Sequence, residues 1–270
     1  MKLCVIGGAG ARSAFLTKSL VKSTRDIRVD HIVLLDNDQQ KLKTYGEISR
    51  ELSRRLDPDL TFEVTSDARA ALTGVDYIIT TIRAGGDAGR LFDEQTCLAH
   101  GVLGQETTGA GGFAMAIRSV PTLVYYCTLA REVANPGHLI FNFTNPSGLV
   151  TQALKSAGYE KVIGICDAPS STKFRMAAKL GVEEKDLYVE FFGLNHLSWI
   201  RSVKVKGEEI LSKLLADDEF LKSIQEFSMF DPDLLRMIGF LPNEYLYYYY
   251  HREKALANIL KPGATRGQTI

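Results

Sequence analysis

The sequence lacks several features that would place a protein in a class at once. Its 270 residues carry no excess charge, with 32 Lys and Arg against 32 Asp and Glu, so no overall field steers it to nucleic acid or membranes. Its four cysteines have no C-x-x-C spacing, which argues against a disulfide framework or a zinc cluster and favours a reducing compartment. No apolar run approaches the roughly 20 residues of a membrane span, and the first one ends at Gly7, too early for a signal peptide. We therefore expect a cytoplasmic protein without membrane or nucleic-acid partners.

Apolar strands alternate with helical patterns through the first part of the chain. This alternation predicts an α/β fold, a Rossmann-like doubly wound parallel sheet whose ligands gather at the carboxyl ends of the strands. Beyond this part the alternation weakens, residues 198–206 alternate like an antiparallel strand, and several helices follow. We predict a NAD-binding domain over residues 1–170 and a mixed α+β region for substrate and metal over residues 171–270. No linker-like tract separates the two, so we expect them to share one sheet.

A glycine-rich turn follows the first strand. Gly7, Gly8 and Gly10 lie between Leu3–Ile6 and a helical pattern, where small residues let a pyrophosphate approach backbone amides at a helix N-terminus. A tight structural turn would explain the glycines equally well. The second strand ends on Asp36, which is placed to accept hydrogen bonds from the adenosine ribose. Together the two signals predict NAD, and the acid disfavours the 2′-phosphate of NADP.

Three chemically active side chains are candidates for a second site. Cys166 and His196 each follow a predicted strand, which would put a thiolate and an imidazole side by side at the edge of one sheet, where they can hold a divalent metal. The alternative is a buried cysteine beside a hydrogen-bonded core histidine. Tyr245 opens a tyrosine cluster at helical spacing; such stripes are usually core, yet a phenol near a cation can act as a general base.

These stretches resemble the NAD- and metal-dependent family 4 glycoside hydrolases, most closely their 6-phospho-β-glucosidase branch. The resemblance implies a hydrolase that oxidises, eliminates, adds water and reduces again, a route distinct from that of two-carboxylate glycosidases. It spans nearly the whole chain in the family's order. The matching segments are GGAGAR, TTIRAGGDAGRLFDEQ, GQETTGAGGFAMAIRS, FTNPSG, GICDAP, GLNHLSW and LPNEYLYYYY.

The resemblance also implies a role for each candidate residue. Cys166 and His196 would bind Mn²⁺, Tyr245 would be the base that removes the sugar C2 proton, and Asp36 would hold the NAD ribose. We further expect an acid that protonates the leaving oxygen and four residues that contact the phosphorylated sugar. The acid is Asp167, and the substrate residues are Arg90, Glu106, Asn145 and Arg266.

Several alternatives stay open. Asp167 is similar to the α-glucoside branch, whereas β-branch members often carry asparagine there, so a 6-phospho-α-glucosidase is a second interpretation. A 2-hydroxy acid dehydrogenase and a noncatalytic NAD-binding sensor are others. Arg90 would alternatively pair with Asp93 or Glu94 one helical turn on, and Arg266 would then be a solvated tail residue. We expect the substrate to be a phosphorylated disaccharide or aryl glucoside and the protein to be a homo-oligomer. Family chains run longer, so we also expect the C-terminal region to be incomplete.

Overall fold

The computed structural model describes residues 1–261, which form two compact units that interleave along the chain. The first unit contains residues 1–89 and 113–165, and the second contains residues 90–112 and the chain from Cys166 onward. The last passage between units falls between Ile165 and Cys166, a few residues before the boundary predicted from the sequence. The short segment 90–112, placed with the second unit, was not foreseen.

The first unit is built on a six-stranded parallel sheet. Its strand order, β3-β2-β1-β4-β5-β6, confirms the predicted doubly wound topology. Both faces of the central strands are covered by helices, which is why β1 and β2 are continuous apolar runs instead of alternating ones. The strands are β1 (Lys2–Ile6), β2 (His31–Leu35), β3 (Thr61–Thr65), β4 (Tyr77–Thr80), β5 (Leu139–Asn142) and β6 (Val162–Gly164).

Seven helices accompany these strands in the chain, and two of them run across a passage between units. A π-helical turn, Leu42–Gly46, joins the second helix to the third. Two apolar clusters fill the space between sheet and helices. The helices are α1 (Ser13–Ile27), α2 (Gln39–Lys41), α3 (Glu47–Leu56), α4 (Ala68–Leu72), α5 (Gly86–Ala99), α6 (Gly109–Val133) and α7 (Ser147–Ser156).

Helix α6 is unusually long and apolar. By length and composition alone it could cross a membrane, whereas the sequence predicts no membrane span. One of its faces packs in the core of the first unit through Leu123, Cys127 and Ala130, which are at most 2% exposed. That packing is typical of a core helix, and core helices satisfy the same length and composition test.

The second unit has a sheet of its own. Strands β7 and β8 form an antiparallel hairpin, with β10 and β9 paired to β8. The antiparallel strand near residue 200 is confirmed, but the expectation that both parts share one sheet is wrong, because β7 turns back on β8 and does not join β6. The elements are α8 (Ala168–Leu180), β7 (Leu187–Leu194), β8 (Leu197–Val205), β9 (Glu208–Glu209), α9 (Leu211–Ala216), α10 (Asp218–Ser223), α11 (Gln225–Ser228), α12 (Pro232–Ile238), β10 (Leu241–Pro242), α13 (Tyr247–Tyr250) and α14 (Arg252–Leu260).

Candidate active site

The turn after β1 is closely packed at two glycines and open at the third. Gly7 has φ +84°, and a Cβ there would lie 2.6 Å from the carbonyl oxygen of Thr81. A Cβ at Gly8 would lie 2.9 Å from the Cβ of Leu34, whereas one at Gly10 would meet nothing within 4 Å. The first two glycines are therefore required by packing. The open space at Gly10 suits the approach of a phosphate to the start of α1.

Asp36 joins the end of β2 to this turn. One carboxylate oxygen accepts from the backbone N–H of Ala9 at 3.1 Å, and the other accepts from that of Asp38 at 3.1 Å. Each oxygen retains a further lone pair for a ligand hydroxyl. The turn and the acid thus fit the pyrophosphate and ribose of a dinucleotide, as the sequence predicts.

The second unit brings Cys166 and His196 together. The distance from Cys166 Sγ to His196 Nε2 is 3.6 Å, and the imidazole is buried, with 6% of the residue exposed. Burial lowers the pKa of His196 to about 4, while the nearby charge of Asp167 acts in the opposite direction. The imidazole is therefore neutral near pH 7, the form that binds metals. Predicted to lie at the edge of one sheet, the two residues instead come from a segment after β6 and from the β7–β8 turn.

His196 is held in a strained backbone conformation. It occupies the second position of the two-residue turn between Leu194 and Leu197, with φ +60°. Non-glycine residues in the left-handed region are uncommon and are often functional. The preceding Gly193 has φ +112°, and a Cβ there would overlap the carbonyl oxygen of Leu197. The GLNH segment thus forms a tight turn that orients the His196 imidazole.

Tyr245 lies against His196. Their rings stack with centroids 3.8 Å apart and an interplanar angle of 15°. The tyrosine is carried by a short 3₁₀ helix, Glu244–Leu246, where the side chain of Asn243 accepts from the Tyr245 N–H at 3.0 Å. Burial raises the pKa of Tyr245, and a hydrogen bond with the side chain of Thr107 lowers it. A phenol in this setting requires a nearby positive charge to become a base.

Thr107 belongs to the GQETTG loop, which also contains the predicted substrate residue Glu106. Its hydroxyl donates to Oε1 of Gln105 at 2.9 Å, and the N–H of Thr108 donates to the same oxygen at 2.9 Å. A Cβ at Gly104 would lie 2.5 Å from the carbonyl oxygen of Glu94. The GQETTG segment is therefore folded on itself around Gln105. Neither Gln105 nor Thr107 was a predicted site residue, although their motif was noted.

Arg90 lies in a buried ion-pair cluster. It is 5% exposed, and its Nε lies 2.7 Å from Glu94 Oε1 while its Nη1 lies 2.8 Å from Glu106 Oε2. The alternative of pairing one helical turn on, with Glu94, is therefore present in the structure. Roles for Arg90 and Glu106 toward a substrate stay predictions.

The remaining predicted residues are Asn145, Asp167 and Arg266. Asn145 follows β5 in the first unit, where its carbonyl oxygen accepts from the Ser119 hydroxyl at 3.5 Å. Asp167 is exposed at the start of α8 and makes no side-chain capping bond there. Arg266 lies outside the described residues.

A parallel sheet in the order 3-2-1-4-5-6, with a glycine turn after β1 and an acid after β2, defines a dinucleotide-binding α/β protein. Residues 2–182 match the model of the family 4 glycosyl hydrolases, and residues 191–270 match the model of that family's C-terminal domain. The chain belongs to the family 4 glycosyl hydrolases.

Individual relatives carry names from both branches of this family. A 6-phospho-beta-glucosidase from Thermotoga maritima is 35% identical over 264 residues, covering 96% of this chain and 61% of the relative. A phospho-alpha-glucosidase from Clostridium acetobutylicum is 32% identical, covering 99% of this chain and 64% of the relative. The chain thus spans about three fifths of the length of these relatives.

Solved structures agree with this assignment. That of the Thermotoga maritima 6-phospho-beta glucosidase with manganese, NAD⁺ and glucose-6-phosphate has a TM-score of 0.89 at 31% identity, covering 100% of this chain and 63% of that one. A 6-phospho-alpha-glucosidase from gut microorganisms with NAD and glucose-6-phosphate has a TM-score of 0.90 at 30% identity, covering 99% and 64%. A malate dehydrogenase from Salinibacter ruber, at 17% identity and a TM-score of 0.59, shares the fold alone.

Proposed function

We propose that the chain hydrolyses 6-phospho-glucosides, with the β anomer favoured, and uses NAD and Mn²⁺. The observation that carries the proposal is the cluster of Cys166, His196 and Tyr245. A thiolate and a neutral imidazole 3.6 Å apart suit a divalent metal, and the phenol stacks on the imidazole. Relatives with these two cofactors and a bound sugar phosphate support the assignment.

Cys166 and His196 would hold the metal. Among residues 1–261, no group of three or more His, Cys, Asp or Glu side chains is arranged to hold a metal ion, so the pair leaves positions for water or sugar oxygens. Gly7, Gly8, Gly10 and Asp36 would hold NAD through its pyrophosphate and ribose. When bound, NAD would supply hydride transfer and the metal would supply polarisation of a sugar carbonyl, which increases the acidity of the C2 proton.

The chain's own residues would handle the protons and the phosphate. Tyr245 would remove the C2 proton, since its half-buried ring stacks on His196 and its side chain is hydrogen-bonded to that of Thr107. Asp167, exposed one residue after Cys166, would protonate the leaving oxygen. Arg90, Glu106, Asn145 and Arg266 would contact the sugar phosphate and its ring.

The preferred anomer of the substrate is the most detailed part of this proposal. Relatives named as α and as β enzymes match almost equally well, and Asp167 resembles the α branch. A 6-phospho-α-glucosidase is therefore the second candidate. We further propose a cytoplasmic homo-oligomer acting on a phosphorylated disaccharide or aryl glucoside.

Turnover of p-nitrophenyl glucosides of both anomers, with and without a 6-phosphate, tests the proposal. Activity should require NAD, Mn²⁺ and the phosphate, and turnover in D₂O should place deuterium at C2 of the sugar. Tyr245→Phe should lower kcat by about 10² to 10⁴, whereas Tyr249→Phe, a change at an exposed tyrosine, should not.

Product without deuterium at C2 would exclude this mechanism. NAD bound without turnover of any glucoside would favour a sensor, and stoichiometric release of NADH would favour a dehydrogenase.

A further inference from the structure

Asn142, the last residue of β5, has a fully buried side chain that the scheme above does not use. Its Oδ1 accepts from Thr80 Oγ1 at 2.8 Å and from the Thr144 N–H at 3.2 Å. Its Nδ2 donates to Thr151 Oγ1 at 3.1 Å and to the carbonyl oxygens of Thr144 and Ser147 at 3.3 and 3.4 Å. An N–H group on one side and two carbonyl oxygens on the other allow only one orientation of the amide.

These bonds link the carboxyl ends of β4 and β5 to α7. Thr80 of β4 and Gly164 of β6 are the neighbours of Asn142 across the sheet. A Cβ at Gly164 would lie 2.7 Å from Thr151 Oγ1 and 3.3 Å from Ser147 Oγ. Glycine at position 164 therefore leaves room for the two hydroxyls that complete the network.

The same network holds the backbone that leads into the predicted site residues. Thr144 directly precedes Asn145, and its hydroxyl accepts from the Ile82 N–H at 3.1 Å, next to the loop that starts at Arg83. The Ser147 hydroxyl donates to the carbonyl oxygen of Asn142 at 3.1 Å and contacts that of Ile165 at 3.3 Å. Ile165 is the residue before Cys166 in the chain.

We propose that Asn142 is a positioning residue for the reaction, because its amide holds the backbone next to Asn145 and Cys166 in one geometry. An apolar side chain of the same volume could be buried at a lower free-energy cost, because a buried amide is costly unless its donors and acceptor are all hydrogen-bonded. The amide adds hydrogen bonds with defined directions. Five hydrogen bonds to one side chain restrain the ends of β4 and β5 and the start of α7 relative to one another. The catalytic part of this inference rests on the proposed function.

Amide hydrogen exchange tests the positioning role without any assay of turnover. In Asn142→Ala and in the milder, nearly isosteric Thr151→Val, the segments 80–83, 143–147 and 163–166 should exchange about tenfold faster, the effect of losing about one buried hydrogen bond. Residues 31–36 should keep their rates. The matched control is Asn135→Ala, whose amide bonds Gly74 O at 3.0 Å and Asp76 Oδ1 at 2.7 Å at the opposite ends of β4 and β5; it should leave the three segments unchanged.

Steady-state kinetics supply the second readout. Both network variants should lower kcat by about tenfold while the KM for NAD stays within about twofold, because the glycine turn and Asp36 lie on other strands. Exchange that rises evenly over the whole chain, or the same pattern in Asn135→Ala, would overturn the proposal, as would unchanged kcat. If the unmodified chain turns over no glucoside, the proposed function fails, and the exchange pattern alone decides the role of Asn142. If Asn142→Ala does not fold, Thr151→Val decides it.

Discussion

At the scale of single residues, Arg90 shows how one side chain can have two plausible partners. A buried guanidinium requires anions around it. For a chain with no net charge, the sequence predicts that a sugar phosphate is the anion bound by Arg90. The structure supplies two carboxylates, Glu94 and Glu106, at hydrogen-bond distance. Residue type alone does not distinguish an internal carboxylate from a bound phosphate, because both match the same planar donors.

The buried cluster makes Arg90 important for stability. Arg90→Ala removes a buried guanidinium that lies at hydrogen-bond distance from two carboxylates, and we expect the free energy of unfolding in urea to fall by about 3 to 5 kcal/mol. The control is Arg54→Ala, because Arg54 also pairs with a glutamate on its own helix, Glu51 at 2.8 Å, but is 68% exposed. That change should cost less than about 1 kcal/mol. Equal losses in the two variants would contradict a structural role for Arg90.

We expect the four cysteines to differ in their reactivity because they differ in burial. Burial raises the pKa of Cys4 and of Cys127 to about 12 and also raises the pKa of Cys97, and only the thiolate reacts with alkylating agents. Cys166 is the one cysteine that is not fully buried. With iodoacetamide at pH 8, native protein should be modified first at Cys166, as measured by peptide mass spectrometry.

Two observations complete this cysteine test. Mn²⁺ should slow the modification of Cys166 without changing the other three rates, and urea should make all four cysteines react. If Cys97 or Cys127 reacts as fast as Cys166 in the native chain, the assigned burial is wrong. Absence of any effect of Mn²⁺ would argue against Cys166 as a ligand.

At the scale of elements, the β7–β8 hairpin determines the position of the His196 imidazole. The two-residue turn needs a left-handed residue at His196, and the strand before it needs space at Gly193. Strong hairpin signals place glycine within the turn itself. Here the glycine precedes the turn and the histidine occupies the left-handed position, so local sequence rules did not indicate the geometry.

Gly193→Ala tests this account of the hairpin. It should lower the free energy of unfolding by about 2 to 4 kcal/mol, because the new Cβ overlaps the carbonyl oxygen of Leu197 in addition to the cost of a positive φ. Gly207→Ala is the matched control in the β8–β9 turn, with φ +90° but nothing within 4 Å of the new Cβ. It should cost only about 1 kcal/mol. A Gly193→Ala protein as stable as Gly207→Ala would contradict the packing argument.

At the scale of the whole molecule, the core residues and the candidate site residues are divided between two units. Each has its own buried apolar clusters, and the glycine turn with Asp36 belongs to the first, while Cys166, His196 and Tyr245 belong to the second. The neutral net charge is consistent with a local anion site, the glycine turn proposed for pyrophosphate, in place of a general basic surface.

Local sequence patterns predict the parallel sheet and the glycine turn after β1. Continuous apolar strands, glycines at the end of β1 and an acid after β2 are local patterns, and together they are typical of this fold. The sequence also indicated the cysteine, histidine and tyrosine of the second site, because the motifs GICDAP, GLNHLSW and LPNEYLYYYY are specific to the family.

Which side chains meet depends on how the chain packs in three dimensions. The contacts of Thr107 with Tyr245, of Arg90 with Glu106 and of Asn142 with Thr80 join residues from separate segments or loops, and no local pattern encodes such pairs. The same holds for the second sheet and for segment 90–112 in the second unit. Hydrophobic periodicity reports whether a residue is buried, whereas the partner of a buried polar group depends on how distant segments pack.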